Sequence, residues 1–136
     1  MAIQSKPLQR PLAVMMRRTL RTISPDTTLL EAAKLMRDAR VGAVLVQEAG
    51  HYSGIVSESD LVRKGMAESC LAHETSVRDV MSSPVLSIEI TSSAHEASEK
   101  MAEHGIRHLA ISEEGQIVGI ISVRDLLRYF KNWGGL

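Results

Sequence analysis

Two four-residue stretches carry the side chains best suited to chemistry, Ser57-Glu58-Ser59-Asp60 and Ser122-Val123-Arg124-Asp125. Each follows an apolar, strand-like run and opens an amphipathic, helix-like one. Toward a ligand, the free N–H groups of a helix start attract an anion, the serine hydroxyl can donate to a phosphate oxygen, and the carboxylate can accept from both hydroxyls of a ribose. Toward its own chain, a serine three residues ahead of an acid is a capping box that needs no ligand. The spacing leaves both readings open. The surroundings of the two stretches differ. Arg124 lies inside the second, and Arg107 and His108 precede the strand-like Leu109 to Ile111. The first contains Glu58 and Ser59, with Gly42 and Ala43 at the corresponding strand start. An anion therefore finds more compensation beside Ser122 and Asp125 than beside Ser57 and Asp60.

The elements that must position these groups come from a tandem duplication. At an offset of 65 residues, 16–63 aligns with 81–128 without a gap, and 13 of the 48 pairs are identical, among them Met16/Met81, Glu31/Glu96, Gly54/Gly119, Ser57/Ser122 and Asp60/Asp125. About three would be expected by chance. Each copy reads as a short strand (Leu20 to Ile23; Val85 to Ile88), then a helix opened by Thr28-x-x-Glu31 or Ser93-x-x-Glu96. Leu29, Ala32, Ala33 and Met36 form the buried stripe of the first helix and Ala94, Ala97 and Met101 that of the second, which Gly105 ends in the left-handed conformation. Hairpins around Gly50 and Gly115 follow, then helices near Ser59 to Met66 and Val123 to Phe130. The fold class is α/β (α+β), two β-α-β-β-α repeats at 14–66 and 76–130, with an N-terminal segment 1–13, a linker 67–75 and a tail 131–136. One copy of about 50 residues buries too little surface to stand alone, so the two are expected to pack about a pseudo-twofold axis with a ligand-sized cleft at each seam.

Composition removes several functions. Sixteen Lys and Arg balance sixteen Asp and Glu, which argues against nucleic acid, and four aromatics (Tyr52, Tyr129, Phe130, Trp133) make no stacking platform. The basic cluster Arg10, Arg17, Arg18 and Arg21 reads as solvated surface. Cys70 is alone, which fits a reducing compartment. No apolar run resembles a secretory signal or approaches the roughly 20 residues of a membrane helix, so a cytoplasmic protein off the membrane is expected. His104 and His108 are four apart, but Gly105 keeps them off one helical face, and no metal is expected. Met15, Met16, Met36, Met81 and Met101 read as core filling. No nucleophile with a base, no acid and base pair and no glycine-rich phosphate loop is present, so the chain is expected not to be an enzyme.

The residues also carry a resemblance. The duplicated unit, with Gly42-Ala43-Val44-Leu45-Val46 before Gly54-Ile55-Val56-Ser57-Glu58-Ser59-Asp60-Leu61, and Gly105-Ile106-Arg107-His108-Leu109 before Gly119-Ile120-Ile121-Ser122-Val123-Arg124-Asp125-Leu126, resembles the tandem cystathionine-β-synthase (CBS) domain pair, or Bateman module. It covers the chain from about Pro11 to Phe130. The resemblance implies a regulatory homodimer that binds an adenine nucleotide in the clefts, requires no cofactor and acts on a separate effector protein. It implies ribose and phosphate contacts at Ser57, Asp60, Ser122 and Asp125, with the recurrence of the pattern in both copies favouring the ligand over the bare cap. Phosphate contacts are implied at Arg107, His108 and Arg124, with Ala43 at the matching place in the first copy. Thr22, Ile23, Ser87 and Ile88 match positions that hold the purine, although edge-strand packing explains them equally. Ala110 departs from the family, which commonly has proline there. AMP, ADP, ATP, NADH and S-adenosylmethionine share the adenosine such motifs hold. The alternative expectation is a dimeric interaction scaffold without a nucleotide, working through its surface and the Trp133 tail.

Overall fold

The computed structural model describes residues 11–132; Arg10, Trp133 and the rest of the two ends lie outside the described residues. Contacts divide the chain into two compact units, one formed by Leu20–Val85 and the other by 11–19 together with 86–132.

The unit 20–85 contains a three-stranded sheet in the order β1 (Thr22–Ile23), β2 (Ala43–Glu48), β3 (His51–Ser57), with β1 parallel to β2 and β2 antiparallel to β3. The other unit repeats this order with β4 (Ser87–Glu89), β5 (His108–Glu113) and β6 (Gln116–Ser122). The first strands are shorter than the apolar runs suggested, because only two or three residues find a partner on the neighbouring strand. Both hairpins turn through two consecutive residues with positive φ, Ala49 and Gly50 in one, Glu114 and Gly115 in the other. That turn matches the right-handed twist of the strands it joins. Both also carry a bulge at the same place, Val46/Gln47 and Ile111/Ser112.

After a short first helix α1 (Pro11–Met15), a helix crosses each sheet, opened and closed by local chemistry. Helix α4 (Ala94–His104) has the full capping box: Ser93 Oγ accepts from Glu96 N–H, and the Glu96 carboxylate accepts from Ser93 N–H. At α2 (Leu29–Ala39) only half of it forms; Thr28 Oγ1 accepts from Glu31 N–H, while the Glu31 carboxylate takes the Thr28 hydroxyl. Gly105 ends α4 at φ 61°, and Arg40 ends α2 at φ 56°, a conformation that costs a side-chain-bearing residue about 1 kcal/mol. The aligned apolar positions make two cores: Leu29, Ala32, Met36, Val44, Val46, Val56, Val77 and Val80 in one, and Met16, Ile88, Ala97, Met101, Leu109, Ile111, Ile121 and Leu126 among others in the second.

The final helices differ. After β6, α5 runs regularly over Val123–Asn132. After β3, a single α-turn α3 (Glu58–Asp60) passes into a π-turn over Leu61–Gly65 and a 3-10 turn over Met66–Glu68, where periodicity suggested one amphipathic helix. The chain lies close enough to α2 there that a Cβ on Gly65 would stand 2.9 Å from Leu29 Cδ1.

The segment before each repeat packs into the unit that holds the other repeat. Arg17 pairs with Ile120 through N–H to O contacts of 2.8 and 3.1 Å, and Ile55 pairs with Ser82 in the same way at 3.0 and 2.9 Å. The close approach requires glycine: a Cβ at Gly119 would lie 2.5 Å from Met16 Sδ and 3.0 Å from the Arg17 carbonyl, and one at Gly54 would lie 2.7 Å from Met81 Sδ and 2.9 Å from the Ser82 carbonyl. The methionine can move, but the backbone is pinned by its pair of hydrogen bonds. Gly119→Ala is therefore expected to cost roughly 1–3 kcal/mol by overpacking. Equilibrium denaturation checks this, with Gly115→Ala as the comparison, since a Cβ there meets no atom within 4 Å and only its positive φ opposes the change. No helix among the described residues is long and apolar enough to cross a membrane.

Candidate functional site

In the sheet β4-β5-β6, β5 runs parallel to β4 and antiparallel to β6, so the starts of β4 and β5 meet the end of β6 at one end. His108 stands opposite Ser122 and Ser87 opposite Ala110. Helix α5 begins immediately after Ser122, and Val123 N–H donates to the Arg107 carbonyl at 2.9 Å. The sheet thereby gathers Ser87, Arg107, His108, Ser122, Arg124 and Asp125 at its end. Asp125 is buried, its Oδ2 accepting from Ser122 N–H and from the Ser122 hydroxyl at 2.9 Å each, while Ser122 Oγ accepts from Asp125 N–H at 3.2 Å. The capping reading is thus realised, but it consumes one carboxylate oxygen. Asp125 Oδ1 has no partner among the described residues. Arg107 and Arg124 are exposed and hold no ion pair or side-chain hydrogen bond among the described residues, and His108 is half-buried. A third cation is added by α4, where Lys100 Nζ donates to the Ser87 carbonyl at 2.6 Å.

The first sheet builds the same end with different groups. Ala43 stands opposite Ser57, and Thr22 opposite Leu45. Asp60 Oδ2 accepts from Ser57 N–H at 2.9 Å and from its hydroxyl at 3.1 Å, and Asp60 N–H donates to Ser57 Oγ at 3.2 Å. Here the second carboxylate oxygen is engaged, because Lys64 Nζ lies 3.1 Å from Oδ1. At the positions aligned with Lys100, Arg107, His108 and Arg124 stand Leu35, Gly42, Ala43 and Ser59, none of them charged. The two ends thus share one scaffold but present different electrostatics.

The purine positions are divided by burial. Thr22 is exposed and Ser87 half-buried on edge strands, where backbone groups face outward; Ile88 lies in the core and Ile23 packs against the other core. Ala110 is buried and its N–H donates to the Leu86 carbonyl at 3.2 Å, a bond that the proline common in the family could not make. Two residues escaped the reading of the sequence. Lys64 stands one place beyond the last matched pair of the repeat, and Lys100 faces Leu35 in the alignment, so the contrast between copies was its signal. His104 Nδ1 lies 2.9 Å from the Lys100 carbonyl at the end of α4 and His108 lies on β5, so the two histidines sit on different elements. No group of three potential metal ligands occurs among the described residues.

Two copies of this arrangement, each a parallel strand pair and a hairpin delivering Ser-x-x-Asp to a helix start, are matched by the CBS domain over residues 12–67 and 77–132. The chain belongs to the CBS-domain family. The two matches make this stretch of sequence a CBS pair. A CBS domain-containing protein of Bacillus subtilis is 37% identical over 105 residues, 77% of this chain and 74% of that protein. An uncharacterised protein of Methanopyrus kandleri is 37% identical over 114 residues, 82% of this chain and 58% of that protein, so the chain spans little more than half of that relative. Among solved structures, a candidate signal-transduction protein with CBS domains from Burkholderia ambifaria superposes with a TM-score of 0.83 at 30% identity, covering 91% of this chain and 93% of the other. The neighbours also include a hexameric CBS-CP12 protein from bloom-forming cyanobacteria, with a TM-score of 0.76 at 26% identity, covering 84% of this chain and 67% of the other.

Proposed function

We propose that this CBS pair is a regulatory sensor without catalytic activity that binds an adenine nucleotide or adenosyl ligand and passes its occupancy to a separate effector protein in the cytoplasm. The observation that supports this most directly is Asp125: a buried carboxylate with one oxygen committed to the cap and the other without a partner among the described residues, at a sheet end that also carries Arg107, Arg124 and Lys100. The free oxygen suits a ribose diol and the arginines suit phosphate. Thr22 and Ser87 offer edge-strand backbone to a purine. AMP, ADP, ATP, NADH and S-adenosylmethionine all present the required adenosine.

Regulation requires that the ligand prefer one arrangement of the protein over another, and a tenfold preference amounts to about 1.4 kcal/mol, within reach of one arginine–phosphate contact. The effector would be met through a homodimer. Val62 and Leu127, aligned positions of the two repeats, are 54% and 52% exposed and are suited to contact with a second copy. The same residues are what an interaction scaffold without a nucleotide would use.

A thermal-shift panel of the five adenosyl compounds, with guanine nucleotides as controls, separates the two. Ligand at 100 times its dissociation constant adds about 2.7 kcal/mol of stability. A clear rise in melting temperature with one or more adenosyl compounds is expected. No rise with any of them would refute the sensor and leave the scaffold.

A further inference from the structure

We infer that Lys64 sets how many ligands the chain binds, by occupying in the first repeat the carboxylate oxygen that the second repeat leaves open. The inference rests on the nucleotide reading above and adds the stoichiometry of that site. Lys64 Nζ makes three contacts, to Asp60 Oδ1 at 3.1 Å, to the Val80 carbonyl at 3.2 Å and to Ser82 Oγ at 3.5 Å. It is therefore held by the backbone of the 76–85 segment as well as by the carboxylate. The π-turn Leu61–Gly65 contains it, whereas the matching stretch of α5 is regular helix with tyrosine at the aligned position, Tyr129.

The carboxylate geometry is otherwise the same in both repeats, with Oδ2 receiving the serine N–H and hydroxyl. A ribose diol donates two hydrogen bonds and needs Oδ1. At Asp125 it meets an oxygen that has no partner among the described residues. At Asp60 it must displace an ammonium from a carboxylate that is 11% exposed, and no arginine takes the place of that charge among the residues aligned with Arg107 and Arg124. A charge-assisted bond that has to be broken before another can form removes most of the gain from forming it. The wild-type chain accordingly takes one ligand, at the second repeat.

The test measures calorimetric binding of AMP, ADP, ATP, NADH and S-adenosylmethionine to the full chain in an Asp125→Ala background, which leaves the first repeat to be read alone. Adding Lys64→Met, which keeps the apolar stem, is expected to tighten binding on the order of tenfold. Adding Lys64→Arg, which keeps the cation, is expected to change it less than about twofold. With Asp125 intact, Lys64→Met raises the stoichiometry from one to two, and the further change Asp60→Ala returns it to one. Melting curves verify folding; if Lys64→Met proves unfolded, Lys64→Gln serves in its place. Two equal sites in the wild type, or weaker binding after Lys64→Met as for a lysine that holds phosphate, would overturn the inference while leaving the sensor intact. Absence of binding by every protein and every compound would overturn the sensor reading and this inference together.

Discussion

Asp125→Ala is expected to weaken adenosyl-ligand binding about a hundredfold, whereas Asp60→Ala changes it less than about threefold. Hydrogen bonds between a ribose diol and a carboxylate are charge-assisted, and removing the carboxylate leaves both hydroxyls without their acceptor, a loss of about 3 kcal/mol. The first repeat is spared because its carboxylate is already paired with Lys64. Both substitutions remove the carboxylate half of the same capping box, the bonds from the N–H and hydroxyl of Ser57 or Ser122, so each should cost about 1 kcal/mol of stability from that source, and Asp60→Ala loses the Lys64 contact besides. That shared cost is the internal control, since it separates lost folding from lost binding. Isothermal calorimetry on the two variants reads the contrast directly. Equal losses of affinity would show that the repeats bind alike and that the electrostatic difference between the two sheet ends has no consequence. Asp125→Asn refines the result: an amide oxygen can still cap Ser122 N–H, so stability should largely return while the charge that strengthens the diol contact stays absent.

Leu109→Ala is expected to lower stability by about 3 kcal/mol, the middle of the range for emptying a leucine site in a core that cannot collapse around it. Leu109 is fully buried at the start of β5, in the cluster that includes Ile88, Ile111, Ile121 and Leu126. It is also next to His108 in sequence, so the cavity loosens the strand that delivers Arg107 and His108 to the sheet end. A fall in melting temperature of roughly 10 °C should accompany it in this size of protein. Leu127→Ala is the matched control on α5, where the side chain is 52% exposed and the expected change stays within about 0.5 kcal/mol. Similar losses for the two leucines in a denaturant titration would contradict the placement of the core.

Much of this arrangement was legible in the residue order because the duplication supplies two readings of each position. The hairpin turns at Gly50 and Gly115, the helix stop at Gly105 and the cap at Ser93 are local, decided by a few residues whose backbone preferences are strong, and all appear where the sequence places them. Arg40 shows the limit of that approach. It adopts the left-handed conformation of Gly105 without being glycine, because the hydrogen bonds from Arg40 N–H to Arg37 O and from Val41 N–H to Met36 O close the helix there. The π-turn after Asp60 was illegible for a similar reason: the apolar spacing suits a regular helix, and the departure goes with a close approach to Leu29 far away in sequence.

The residue order by itself determined the duplication, the β-α-β-β-α unit, the helix caps and the chemical types gathered in each Ser-x-x-Asp stretch, because all of these depend on neighbours within a few positions or on identity at one fixed offset. Tertiary structure alone decided which carboxylate oxygen is left open. Lys64 reaches Asp60 across one turn but is held by Val80 and Ser82, 16 and 18 residues onward, and Lys100 reaches Ser87 from the body of α4. Tertiary structure likewise decided that the segments carrying Met16 and Met81 pack against Gly119 and Gly54, across most of the chain and across the linker respectively. Such contacts depend on where folding brings the backbone, and a periodic pattern of residue types does not encode that distance.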